Sequence, residues 1–365
     1  MEWFQIENTE DLISPSLLVY PKRIRRNIEL MIEMAGGTEK LRPHIKTHKM
    51  EELVRIQQSY GIQKFKCATI AEAELLGVCE AEDVLLAMQP VGSQISRYFK
   101  LLKNYPKTNF STLVDNHATL NQMVDLAKNE GFTISLWLDI NNGMNRTGIS
   151  PGKKAEELFL KMDENHFINA KGFHVYDGHI HIANVEDRKL KCDEDFQSVL
   201  ALKYSLNKKG VDVESIVAGG SITFPIHLQR EGVEVSPGTP ILWDAGYGTR
   251  YKDLNFLPAA TLFSRVVRNP TEKTTCLDLG HKAVASEMQF PRVQFLGDTD
   301  IQQLDQHEEH LVIENTNEFE IGDQLYALPI HICPTVTKYC KVQVVEHNKI
   351  IDNWMVIARD HQLKI

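Results

Sequence analysis

Lys46 stands in the densest run of polar side chains in the first hundred residues, Arg42-Pro43-His44-Ile45-Lys46-Thr47-His48-Lys49, where an apolar strand-like stretch ends. A lysine at a strand end, partly removed from water, presents an amine that can condense with an aldehyde. The same composition also fits a basic turn lying in solvent. A second candidate lies near the other end of the chain, where His331 and Cys333 are two residues apart. In an extended segment that spacing sends both side chains to one face. An imidazole with a thiolate suits Zn²⁺ better than Mg²⁺ or Ca²⁺. Two protein ligands leave positions open for water or substrate, as a catalytic ion requires, although so short a motif also arises by chance.

Between these ends lie further groups with chemical potential. Arg146, in Asn142-Gly143-Met144-Asn145-Arg146-Thr147-Gly148, cannot lose its charge and offers forked donors to an oxyanion or carboxylate; a surface ion pair is the plainer alternative. Gly219, Gly220, Ser221 and Thr223 combine a glycine-rich backbone with hydroxyls, which suits a phosphate, though an ordinary turn has the same composition. Tyr176 and His179 follow an apolar run closely enough to face one site. Tyr176 offers a hydrogen bond, and His179 or its neighbour His181 a mobile proton. The alternation in that segment could equally bury some of these side chains.

These groups must be positioned by regular elements. Eight short apolar runs read as strands: PSLLVY, KLRPHIK, KFKCATI, DVLLAMQP, FSTLVD, TISLWLDI, AKGFHVYDGHI and VESIVAGG. Amphipathic stretches such as RIRRNIELMIEMAG, AEAELLGVCEA, LNQMVDLAKNEG and FQSVLALKYSLNKKG lie between them, with apolar residues at helical spacing and several ending at glycine. Alternation of this kind implies a parallel sheet, and eight units favour a (β/α)₈ barrel over a doubly wound sheet, whose local pattern is the same. In this reading Arg146 follows the sixth strand, Tyr176 and His179 the seventh, and the glycine pair the eighth. Beyond EVSPGTPILWDAGYG the runs become short and β-like without a long helix, which predicts a second, β-rich domain. The expected division is a barrel over 15–245 and a metal-binding β domain over 246–365, joined by 1–14.

The bulk properties narrow the function. A chain of 365 residues has room for two domains. The net charge of −9, with signs mixed, supplies no basic surface for nucleic acid. No apolar run is long enough to span a membrane, and MEWFQIENTEDLISPS does not read as a secretion leader. Six unpaired-looking cysteines fit reduced thiols. A cytoplasmic protein is the expectation.

The segment PHIKTHK resembles the cofactor-lysine motif of the D-threonine aldolase and D-serine dehydratase family, whose barrel is similar to the N-terminal domain of alanine racemase. The resemblance continues in order through PSLLVY, NGMNRTG, YDGH, GGS, SPG and the terminal HICPT, so it covers nearly the whole chain. It implies pyridoxal 5′-phosphate (PLP) carried on Lys46. The other cofactor contacts it implies are His44, Arg146, Tyr176, Gly219, Gly220, Ser221, Thr223 and Tyr247, with His179 beside Lys46 in catalysis. It also implies a metal held by His331 and Cys333, Zn²⁺ or alternatively Mn²⁺, a small D-β-hydroxy amino acid as substrate, and a homodimer. Alanine racemases carry arginine where this chain has Ser236, so the cofactor's ring nitrogen meets a different partner and racemisation is disfavoured. His-x-Cys resembles the dehydratases, whereas the following Pro334-Thr335-Val336 resembles the aldolases. The expected reaction is retro-aldol cleavage of D-threonine. Dehydration of D-serine or D-threonine is the alternative, followed by racemisation and by a non-catalytic PLP-binding role.

Overall fold

The structure, a computed structural model, describes residues 1–297, 301–315 and 319–365. The chain divides into two compact units. One comprises Met1–Met31, Thr47–Leu53 and Thr239–Arg359; the other comprises Ile32–Lys46, Val54–Gly238 and Asp360–Ile365.

The first strand, β1 (Ser16–Val19), overturns one sequence expectation. PSLLVY was expected to open the barrel. Instead β1 pairs antiparallel with β9 (Ala260–Thr271) and parallel with a strand near the C-terminus, Lys341–Glu346. Its four residues are all buried. Such a continuous apolar run fits any strand covered on both faces, so its pattern does not reveal which sheet it joins. The rest of that unit is the expected β-rich assembly of short antiparallel strands.

The other unit is built on seven consecutive parallel strands: β2 (Lys64–Cys67), β3 (Asp83–Leu86), β4 (Asn109–Val114), β5 (Ile134–Ile140), β6 (Ile168–Val175), β7 (Ser215–Ala218) and β8 (Val233–Val235). The segment before Lys46 closes the ring. Leu41 bridges Val235 and His44 bridges Lys66, both in the parallel sense. Arg42 and His44 donate their N–H groups to Val235 and Pro237, while the Pro43 carbonyl accepts from Lys66. Pro43 has no N–H to return to β2, which explains why this closing stave forms bridges rather than a regular strand. The barrel expected from the sequence is present, but its eighth member is β8, which the sequence reading left out. Each motif therefore follows a strand one place earlier in the barrel than expected.

Helices return the chain between strands, and their starts follow from local chemistry. Thr69 accepts the Glu72 N–H at 3.1 Å, and the Glu72 carboxylate accepts the Ala68 N–H at 2.7 Å, a reciprocal cap for the helix Ile70–Val78. Asn116 and Asn184 cap His117–Glu130 and Val185–Lys208 in the same spirit.

Inside the barrel, Leu85, Leu113, Trp137 and Val217 form an apolar plug. Toward the strands' N-terminal ends Arg42 is 1% exposed and binds Asp83 through two nitrogens at 2.6 and 3.0 Å and Glu234 at 2.7 Å. A buried guanidinium with two carboxylates is satisfied; losing one partner would cost about 3–5 kcal/mol. The polar run around Lys46 is thus sorted by the fold. Arg42 closes the barrel floor, whereas Thr47, His48 and Lys49 are buried in the β-rich unit. Burial pushes the His48 imidazole down to about 3, with the Lys49 charge adding to the effect.

Candidate active site

The C-terminal ends of the barrel strands carry Lys46, Arg146, Tyr176 and the Gly219-Gly220 turn. Lys46 lies in the single helical turn Ile45–Thr47 and is half-buried. Its backbone N–H donates to Nδ1 of the buried His44 at 3.3 Å. Tyr176 follows β6, and three cations surround its ring: the Arg146 guanidinium carbon at 5.0 Å, Lys66 Nζ at 5.6 Å and Lys46 Nζ at 5.8 Å from the centroid. Each is within range of an attraction to the ring face. Among the described residues none of these three side chains has a hydrogen bond or an ion pair. Three like charges around one ring repel one another, so the arrangement is set for an anion.

The carboxylates nearby are already engaged. Asp139 on β5 and His174 on β6 are register partners, and Asp139 Oδ1 meets His174 Nδ1 at 2.6 Å. Gln89 donates to the other Asp139 oxygen at 2.7 Å. Burial works against the Asp139 charge, but the bonds from His174, Thr147 and Gln89 outweigh it and hold the carboxyl below its ordinary range. Burial pushes the His174 imidazole down, and the Lys66 charge adds to this. A neutral His174 facing a charged Asp139 carries its proton on Nδ1, which leaves Nε2 as a bare acceptor. Among the described residues that atom is buried without a partner, as is the hydroxyl of Ser236 after β8. The His174 atom, near the Lys66 and Arg146 charges, marks a place where a ligand would complete the hydrogen bonding.

The turn after β7 supplies a close approach. Gly219 has φ +78, and a Cβ there would lie 2.9 Å from the His227 ring; one at Gly220 would lie 3.2 Å from the Tyr176 ring. Only glycine leaves this space open. Two donors of the turn are engaged within the protein. The Gly220 N–H donates to Thr223 Oγ1 at 3.0 Å, and Thr223 donates onward to Asp177 at 2.8 Å. Ser221 Oγ accepts the Gly238 N–H at 3.2 Å, a bond that does not use its own O–H donor. The Ile222 N–H is a backbone donor left without an acceptor among the described residues. The glycine signal located the turn in the sequence, but only the fold shows which of its donors are spent.

His179 lies on the loop after β6. Its Nε2 is 2.8 Å from Asp195 Oδ2 on the helix Val185–Lys208, and it fills the space beside Gly143. Its Nδ1 is buried without a partner among the described residues. Sequence reasoning missed Lys66, which looks like any strand lysine until its inward face is known. It also missed Asp177, Cys192 and His227. Their donor atoms lie within 4.8 Å of one another and form the one such potential metal-ligand trio among the described residues. They are already joined by hydrogen bonds, with His227 Nε2 2.7 Å from Asp177. Burial and the Asp177 charge push the Cys192 thiol up to about 12, which keeps it protonated.

The remaining predicted residues belong to the β-rich unit. Tyr247 packs edge-on against Trp243 and Tyr251, and its N–H caps onto Asp244. His331 and Cys333 were expected in a strand, but the strand ends at Pro329 and a short helix, Ile332–Val336, begins. His331 is the extended residue that caps this helix (φ −133). Its ring still meets Cys333: burial opposes the imidazolium, yet Cys333, Glu287 and Asp244 outweigh it and raise the group to about 9. Glu287 holds Nδ1, and Cys333 Sγ is 3.2 Å from the Thr47 hydroxyl.

The chain is similar to several known proteins over nearly its whole length. The chain is 24% identical to a D-threonine aldolase of an Arthrobacter species over 95% of its length and 92% of the relative. It is equally identical, at 24%, to a D-serine dehydratase of Dictyostelium discoideum, covering 95% of the chain and 98% of the relative. The fold matches the crystal structure of D-threonine aldolase from Filomicrobium marinum with a TM-score of 0.89 at 21% identity, covering 97% and 98% of the two chains. Residues 259–345 match the family described as a putative serine dehydratase domain. Residues 19–243, the larger part of the chain, match the family described as the alanine racemase N-terminal domain, and it is to this family that the protein belongs.

Proposed function

We propose that this protein is a PLP- and divalent-metal-dependent lyase acting on D-β-hydroxy amino acids, with cleavage of D-threonine to glycine and acetaldehyde as its leading reaction. The observation that carries the reading is the convergence of Lys46, Lys66 and Arg146 on Tyr176 without a carboxylate partner. PLP and an amino-acid carboxylate together bring the negative charge that such a site lacks. When bound, PLP supplies an electron sink that weakens the bonds at the substrate's α-carbon.

The chain's own residues supply position and proton traffic. Lys46 offers the amine that holds the cofactor, with His44 fixing its backbone. Gly219 and Gly220 leave room for a phosphate, toward which the Ile222 N–H is available, while Thr223 and Ser221 keep the turn in shape. Tyr176 would flank the bound ligand, Ser236 would offer a neutral hydroxyl where a racemase places a cation, and Arg146, which is exposed, would suit the substrate carboxylate. His179, oriented by Asp195, can hold a proton at Nδ1. His331 and Cys333 fit a Zn²⁺ ion: the donors are imidazole and thiol, they are in contact, and Glu287 orients the ring as carboxylates do for metal-binding histidines. When bound, such an ion would supply Lewis acidity, which lowers the pKa of a hydroxyl group or assists its departure.

Dehydration of D-serine or D-threonine is the second reading, favoured by the thiol of Cys333 as the second metal donor. The two part on their products. Incubation with PLP, Zn²⁺ or Mn²⁺ and D-threonine should release glycine and acetaldehyde. Formation of 2-oxobutyrate from D-threonine, or pyruvate from D-serine, with ammonia would replace the aldolase assignment by the dehydratase.

A further inference from the structure

Lys66 is the most deeply placed of the three cations. It is 4% exposed on the inner face of β2, whereas Lys46 is half-buried and Arg146 is exposed. Its amine faces Lys46, Asp139, Asp177, Arg146, His174 and the Tyr176 ring. Both carboxylates in that set are spent on other partners, Asp139 on His174 and Gln89, and Asp177 on His227 and Thr223. A buried lysine with no acceptor loses its hydration without compensation, so the apoprotein tolerates it at a cost. Burial, then the charge of Lys46, push it down to about 7.

The barrel order gives this amine a direction. Lys46 follows the closing segment that bridges β8 on one side and β2 on the other. The glycine turn after β7 therefore lies two strands from Lys46 in one sense, and Lys66 lies one strand away in the opposite sense. The ring carbons flanking the aldehyde of PLP carry a phosphate-bearing arm and an ionisable oxygen. With the arm toward the glycine turn, the ring oxygen faces β2.

Resting on the PLP reading above, we propose that Lys66 is a second cofactor-binding residue, whose ammonium pairs with the ionised ring oxygen of PLP while Lys46 carries the covalent attachment. Anion arrival supplies the acceptor that the buried amine lacks, and Arg146 is left free for the substrate carboxylate.

The test uses the full-length apoprotein without substrate. PLP affinity and the pH dependence of the bound cofactor's visible band would be measured for the parent, Lys66→Met and Lys66→Arg. Borohydride reduction and peptide mapping would then identify the attached lysine. Loss of one charge-assisted contact should weaken affinity roughly tenfold or more in Lys66→Met. It should also move the band's pH midpoint upward by about one unit or more, because a neighbouring cation no longer favours the ionised oxygen. Lys66→Arg, which keeps the charge, should retain most of the affinity, and reduction should label Lys46 throughout. Parent-like affinity and spectrum in Lys66→Met, or a label on Lys66, would overturn the proposal while leaving PLP binding intact. A parent that binds no PLP would overturn the cofactor reading itself.

Discussion

The hydroxyl of Thr223 donates to Asp177 at 2.8 Å, and the same oxygen receives the Gly220 N–H at 3.0 Å. One buried carboxylate therefore holds the glycine turn in shape through a single side chain. Burial opposes the Asp177 charge, but His227 and Thr223 keep the group below its ordinary range. Thr223→Val removes the link at nearly constant volume and leaves the Gly220 N–H and one Asp177 oxygen without their partner. We expect about 1–3 kcal/mol of destabilisation in urea unfolding, together with weaker PLP binding. Unchanged stability and affinity would show that the link does no positioning.

Lys46→Ala should abolish the visible band of the bound cofactor, expected at about 410–430 nm for a lysine-linked PLP, and should prevent covalent trapping by borohydride. A persistent band at the parent's wavelength would remove Lys46 from its assigned role.

Removal of the thiol at Cys333 separates the two cofactors. Cys333→Ala should lower bound zinc, measured by elemental analysis, and slow turnover while leaving the cofactor band in place. A chelator applied to the parent should have the same effect, reversed by Zn²⁺. Equal zinc content in variant and parent would exclude Cys333 as a ligand.

Lys66 also predicts a pH dependence of apoprotein stability. Its folded-state value of about 7 lies below the ordinary 10.5, so between these two values the unfolded chain binds a proton that the native chain does not. Its penalty is therefore full below pH 7 and fades as pH rises toward 10.5. Lys66→Met should raise the apoprotein Tm, most at pH 6.5 and least near pH 10. A gain independent of pH would mean that the native amine is not perturbed in this way.

Gly219→Ala tests the close approach in the turn. With φ at +78 and the His227 ring 2.9 Å from the new methyl group, the substitution should cost about 1–3 kcal/mol and reduce PLP affinity. Parent-like behaviour in both thermal unfolding and PLP titration would show that the turn relaxes without consequence.

The sequence alone determined the kinds of chemistry and most of the periodicity that positions them. Alternating strands and helices specify parallel staves, because only a helical return brings each strand back in the same direction, and Lys46, Arg146, Tyr176 and the glycine pair each lie just past an apolar run. Partner choice was decided by tertiary structure. β1 is as apolar as a barrel strand, yet it pairs with β9; β8 is only three residues long, and Pro43 weakens the ladder of the closing segment. Inward direction and burial were likewise unreadable. They make Lys66 an unpaired amine beside Lys46, spend Thr223 on Asp177, and set His331 and Cys333 at a helix cap rather than along a strand. Local propensity depends on neighbours in sequence, whereas hydrogen-bond satisfaction depends on neighbours in space, and 50 positions separate Asp177 from His227.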